Sequence, residues 1–236
     1  MPQRSQNAGQ HFTELVQAIV SGDGARVADF LNRTPTLVHQ RAATGATRNG
    51  APSYFFEAIR HYLYAGDTAL HMAAAAFKPD IAQSLIDRGA DCSMKNRRGA
   101  EPLHYASDCN VWSPTAQAAT IHCLIHAGAD PVASDKGGVQ PLHRAVRTRC
   151  AAAVEALLAG GAMPRARNGS GSTPLHLAVQ NTGRGGSGTE HAIEQQRQII
   201  MLLLNAGAKP EDRDGKGKAV HDVATADWIR ALLVIR

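Results

Sequence analysis

No apolar run in these 236 residues approaches the ~18 that a membrane-spanning helix requires. Residues 1–10 are polar and lack the apolar centre of an export signal, so a secreted chain is not expected. Cysteine is sparse: four residues, at 92, 109, 123 and 150, with no paired spacing. They are expected to be free thiols in a reducing cytoplasm. Aromatic residues make up only 5% of the chain, which suits helices packed closely through Leu and Ala. No serine or cysteine stands at a readable spacing from a base and an orienting acid, and no enzymatic activity or cofactor is expected.

What the chain does have is repetition. Thr-Ala-Leu-His at 68–71 returns as Glu-Pro-Leu-His at 101–104, Gln-Pro-Leu-His at 140–143, Thr-Pro-Leu-His at 173–176 and Lys-Ala-Val-His at 218–221. Between these words lies a second, Gly-Ala, at 89–90, 128–129, 161–162 and 207–208. From that glycine to the next histidine the gaps are 15, 15, 15 and 14 residues. From each histidine to its own glycine they are 18, 24, 18 and 31. One half of the unit is therefore fixed and the other takes insertions, which settle in solvent-exposed turns.

Each unit reads as two short helices. Residues 143–149 form one, with Leu142, Ala145 and Val146 on one face; residues 151–159 form the other, with Val154, Leu157 and Leu158 together. Pro102, Pro141 and Pro174 suit the first turn of a helix. The glycine after each leucine-rich run suits a left-handed helix stop. Helices this short are unstable alone, and stacking on the next unit buries their leucines.

The chain resembles the ankyrin-repeat proteins, in the form of a stand-alone domain of bacterial type. Gly-Ser-Thr-Pro-Leu-His-Leu-Ala at 171–178 matches the family word closely, and Gly66, Thr68, Leu70, His71, Ala73, Leu85, Gly89, Ala90 and Asp91 match it in an earlier copy. Glu101 and Gln140 replace the threonine, and Ala69 and Ala219 the proline. The resemblance implies an all-α solenoid of stacked helix-turn-helix units with finger loops. Its expected divisions are a capping repeat at 1–35, an aromatic-rich insertion at 36–65, four repeats at 66–213 and a closing cap at 214–236. The insertions fall between paired helices, near 107–116 and 181–190. The resemblance also implies that the repeat histidines brace each finger against the first helix, helix A.

Other candidates have plainer readings. His122 and His126 stand four apart with Cys123 between them, but no third ligand recurs at fixed spacing, so no metal is expected. Residues 183–188 satisfy the G-x-G-x-x-G pattern, but a helix precedes them and Thr189 stands where a phosphate loop needs lysine. They read as a flexible turn, with Arg184 offering a secondary anion reading. Tyr54, Phe55, Phe56, Tyr62 and Tyr64 crowd into the insertion. A short amphipathic helix packed on the first units is expected there; the alternatives are an exposed partner patch or a small-molecule pocket.

Charge singles out the middle. Residues 92–184 carry ten basic and five acidic side chains, while the flanking segments are balanced, so the net +5 lies there. In the family the finger tips and the exposed side of helix A line a concave binding surface. On that register Lys95, Arg97, Arg98, Lys136 and Arg167 fall in fingers, and Tyr105, Arg144 and Arg147 on helix A. The expected function is binding of another protein, through an acidic surface or segment, by a monomeric chain. The alternative is nucleic acid or another polyanion, against which stands the lack of interleaved stacking aromatics.

Overall fold

The computed structural model describes residues 2–47, 49–180 and 188–234. They divide into two compact units, residues 1–130 and 131–236. Each unit is a stack of helix pairs.

In the first unit, α1 (Pro2–Ser21) pairs with α2 (Gly24–Arg33). Next come α3 (Ala69–Ala75) with α4 (Pro79–Asp87), and α5 (Pro102–Ala106) with α6 (Pro114–His126). The first helices stack in one layer, α1 on α3 on α5, and the second helices in another, α2 on α4 on α6. Leu15, Leu31, Leu70, Leu85, Leu103 and Leu124 are buried along the seam.

The second unit repeats the plan. It contains α7 (Pro141–Thr148), α8 (Ala151–Ala159), α9 (Pro174–Ala178), α10 (Glu190–Asn205), α11 (Val220–Val223) and α12 (Asp227–Val234). Helix α7 packs on α9 and α9 on α11, while α8 packs on α10. Leu142, Leu157, Leu175 and Leu203 are fully buried here.

Helices of five to nine residues hold because stacking covers their apolar sides. In two pairs a loop separates the helices, and there the end of the first helix gains a side-chain donor. Gln117 Nε2 donates to the Ala106 carbonyl at 2.8 Å, and Gln196 Nε2 to that of Ala178 at 2.7 Å. Both glutamines are buried and stand eleven residues before a helix-ending glycine, Gly128 or Gly207. Carbonyls at a helix end have no partner within the helix, so each lock removes a burial penalty. The first loop spans residues 107–113. The second connection, 179–189, is described at 179–180 and 188–189; its glycine-rich motif at 183–188 lies outside the described residues but for the last glycine.

Two expectations need correction. The expected amphipathic helix does not form over 54–64. Phe55–Phe56 (β1) pairs antiparallel with His61–Tyr62 (β2) around a one-turn helix at Glu57–Ile59, and Arg60 takes a left-handed φ of 49° to close the turn. Paired aromatics favour strands: the Phe55 and Tyr62 rings lie 4.7 Å apart across the ladder.

The last copy of the repeat also sits one residue later than its histidine suggests. Asp222, not His221, occupies the third helical position, and its Oδ2 accepts the Ala219 N–H at 2.9 Å. His221 lies exposed. On this register Ala219 takes the threonine position and Val220 the proline position, and the glycine-to-cap gap returns to 15 residues.

Candidate functional site

The fingers are built from a side chain that turns back on its own backbone. Asn96 Oδ1 accepts the N–H groups of Arg98 and Ala100, at 2.8 and 3.1 Å. Asp135 does the same for Gly137 and Val139, Asn168 for Ser170 and Ser172, and Asp214 for Lys216 and Lys218. Each stands three residues before a glycine in the left-handed region: Gly99, Gly138, Gly171 or Gly217. Asn and Asp favour such turns because their oxygens replace a backbone acceptor.

Neighbouring fingers are then zipped. The residue after the turn side chain donates to the carbonyl before the preceding finger's glycine: Arg97 to Ala65 at 3.0 Å, Gly169 to Gly137 at 2.9 Å, Gly215 to Ser170 at 3.1 Å. The approach is so close at Gly171 that an added Cβ would lie 2.5 Å from the Gly215 nitrogen.

The repeat histidines tie fingers to helices. His71 Nδ1 accepts the Thr68 N–H at 3.2 Å, so the other ring nitrogen carries the proton and donates to the Ala100 carbonyl at 3.0 Å. His143 bonds likewise to Gln140 and Ser172, and His176 to Thr173 and Lys218. His104 accepts from Glu101. Burial pushes the His71 pKa down to about 4 and lowers that of His143, which keeps both neutral.

The first unit holds a buried carboxylate that sequence reasoning missed. Asp67 is 0% exposed. Its oxygens accept the Tyr64 N–H at 2.6 Å, the Asn96 amide at 2.8 Å and the Tyr105 hydroxyl at 2.8 and 3.0 Å. The His61 and His71 rings lie 4.6 and 5.1 Å from that of Tyr105. Burial raises the Asp67 pKa to about 6, against the opposing pull of these donors and the Arg98 charge. Three elements converge on one carboxylate: the chain leaving the hairpin, a finger and helix α5. With every oxygen occupied and no solvent contact, Asp67 is a brace and not a ligand-binding acid.

The expected site residues fare differently. Tyr105 is a correction: its side chain is 2% exposed and committed to Asp67, so it offers no surface. Arg144 lies 3.0 Å from Asp135 in an ion pair with both side chains 11% exposed, which cancels most of its field. Burial works to raise the Asp135 pKa, but the Arg144 hydrogen bond and two backbone N–H groups outweigh it and hold the carboxyl below its usual range. Lys95 is exposed at 3.6 Å from buried Glu101. Arg97 and Arg98 are exposed, with Arg98 5.1 Å above the Tyr64 ring. Lys136 and Arg147 are exposed on the finger and helix A of the second unit. Arg167 donates to the Gly171 carbonyl at 2.9 Å and to that of Arg213, bridging two fingers. Its charge also reaches the Asp212 carboxylate, whose pKa it helps to lower.

Among the described residues no group of three His, Cys, Asp or Glu side chains could hold a metal, and His126 Nδ1 instead donates to the His122 carbonyl at 2.8 Å.

Comparison with known proteins follows this geometry. Models described as ankyrin repeats in many copies match residues 70–110 and 124–178, and one described as an ankyrin repeat matches 170–215. The chain is 34% identical over 148 residues to the E3 ubiquitin-protein ligase KEG of Arabidopsis thaliana, covering 58% of this chain and 9% of that protein. It is 32% identical over 121 residues to ankyrin repeat and SOCS box protein 6 of Homo sapiens, covering 51% and 26%. The Neurogenic locus Notch protein of Drosophila melanogaster is 28% identical over 149 residues, covering 56% and 5%. The likeness thus spans about a quarter or less of each relative.

Proposed function

Because the chain belongs to the ankyrin-repeat proteins, we propose that it is a non-enzymatic module, acting as a monomer, that binds another protein through its fingers and the adjoining side of helix A. The observation that carries this reading is the finger construction. Four turns are locked by the same side-chain contact and zipped within each unit, so the loops of each unit are shaped before the partner arrives. A preformed surface loses little conformational entropy on binding. Among the expected cations, Arg97, Arg98, Lys136, Arg147 and Arg167 lie exposed, which favours an acidic partner segment. Charge of this kind chiefly speeds encounter.

The cytoplasm is the proposed location. None of the four cysteines is in a disulfide, and burial pushes the Cys92 thiol up to about 11, which suits a structural thiol at that position. Among the described residues no helix is long and apolar enough to cross a membrane.

The test is the association rate of the full chain with a partner captured from its native lysate. Reversing charge in Lys136→Glu with Arg147→Glu is expected to slow association and flatten its salt dependence, with the melting temperature nearly unchanged. An unaltered rate refutes the finger-face reading. Equal, steeply salt-dependent binding to unrelated nucleic acids would replace it with polyanion binding.

A further inference from the structure

Beside the buried Asp67 brace, the first unit opens a pocket of about 320 Å³ between the hairpin and a finger. Tyr62 and Tyr64 form one side, their rings 6.2 Å apart and inclined by 51°. Arg97 and Arg98 form the other, and Thr47 and Ala51 close it. We propose that this pocket receives the side-chain carboxylate of a glutamate or aspartate in an extended segment of the partner protein, a reading that rests on the finger face proposed above.

Charge, placement and rigidity support it. The two guanidinium groups are exposed, and among the described residues neither is ion-paired. Arg97 spends one N–H on the Ala46 carbonyl at a long 3.4 Å, and Arg98 stacks over Tyr64, so both are held near the opening with donors to spare. Guanidinium forks match carboxylates geometrically.

The walls are also fixed in advance. The Tyr64 N–H is bonded to Asp67, which the Asn96 amide and Tyr105 hydroxyl hold from the far side. The Arg98 N–H is bonded to the Asn96 side chain, and that of Arg97 to the Ala65 carbonyl. Gly66, with φ at +88°, permits this approach, since a Cβ there would lie 3.0 Å from the Arg97 nitrogen. Hairpin and finger are thereby set as one rigid frame.

Asp67 lies behind Arg98 and offsets part of its field. The pocket therefore carries close to the charge of one guanidinium, which a single carboxylate balances. The volume is ample for one acidic side chain, and the pocket opens widely to solvent. A free small acid would stay largely hydrated there, while a peptide continues onto the surface beyond.

The experiment uses the full chain, isotope-labelled, titrated with acetyl-Gly-Glu-Gly-amide, its glutamine counterpart and its phosphoserine counterpart. The glutamate peptide is expected to shift the Arg97 and Arg98 side-chain N–H signals and the Tyr64 ring signals. Glutamine is expected to weaken binding by roughly tenfold or more through loss of the charge. Arg98→Gln is expected to abolish those shifts. So is Ala51→Trp, which fills the pocket and leaves both guanidiniums in place. Equal binding of the glutamine peptide, tighter binding of phosphoserine, or shifts confined to other residues overturns the proposal. The two readings separate with the captured partner. If association slows on Lys136→Glu with Arg147→Glu but ignores Arg98→Gln, the face stands and the pocket falls. If the glutamate peptide binds as expected and partner association slows on Arg98→Gln but ignores Lys136→Glu with Arg147→Glu, the pocket stands and the wider face reading falls.

Discussion

Replacing Tyr105 with phenylalanine removes one oxygen from the middle of the buried network and leaves the ring packed. That oxygen donates to both Asp67 oxygens, at 2.8 and 3.0 Å, and accepts the Asn96 amide at 2.8 Å. A hydrogen bond to a charged group contributes about 1.5–3 kcal/mol, and at 2% exposure no water can replace it. Taking about 2 kcal/mol, the melting temperature should fall by roughly 4 °C if all 236 residues unfold together, and by roughly 7 °C if residues 1–130 unfold as their own unit. The loss should depend on pH in a fixed direction. Asp67 binds its proton more tightly folded than unfolded, so its stabilising contribution is complete below 3.8 and is lost as pH rises through about 6. Removing a donor from its carboxylate lifts the folded pKa further. Denaturation by urea should therefore show a larger loss at pH 8 than at pH 4. An unchanged midpoint, or equal losses at both pH values, would refute the view that Tyr105 supports an ionised Asp67.

Two further outcomes are expected. Leu175→Ala opens a cavity at a fully buried position and should cost about 2–5 kcal/mol by denaturant titration; an unaltered transition would break the repeat register. Asp222→Ala should cost roughly 1 kcal/mol through loss of a cap, while His221→Ala should be nearly neutral; the reverse order would restore His221 to the capping position.

The repeat register was legible because two words recur at fixed spacing, and the family assignment followed from it. The last copy misled because a histidine happens to stand one place before the cap. The 14-residue gap already marked the discrepancy, and restoring 15 points to Asp222. The hairpin was not legible: aromatics at 54–56, 62 and 64 fit a helix face as well as a ladder, and a left-handed Arg60 leaves no sequence signal. Tyr105 was misplaced for a related reason. It occupies the slot held by Met72, Arg144 and Leu177 in other copies; Met72 is buried and Arg144 and Leu177 are half-buried, so the slot itself does not say which way its side chain turns. The ion pair of Arg144 with Asp135 was likewise hidden, because a nine-residue separation says nothing about facing side chains.

The two buried glutamines have a consequence for how such a chain can change. Where the helices of a pair follow directly, the corresponding positions hold Lys78 and Cys150, which begin the second helix. Gln117 and Gln196 move that start outward and close the end of the first helix from the side, so the stack no longer needs the connection to be short. Lengthening a loop adds only a slowly growing entropic cost. These two repeats are thus ready-made grafting points, where new sequence, and with it new recognition, can be spliced in while every buried leucine keeps its neighbours.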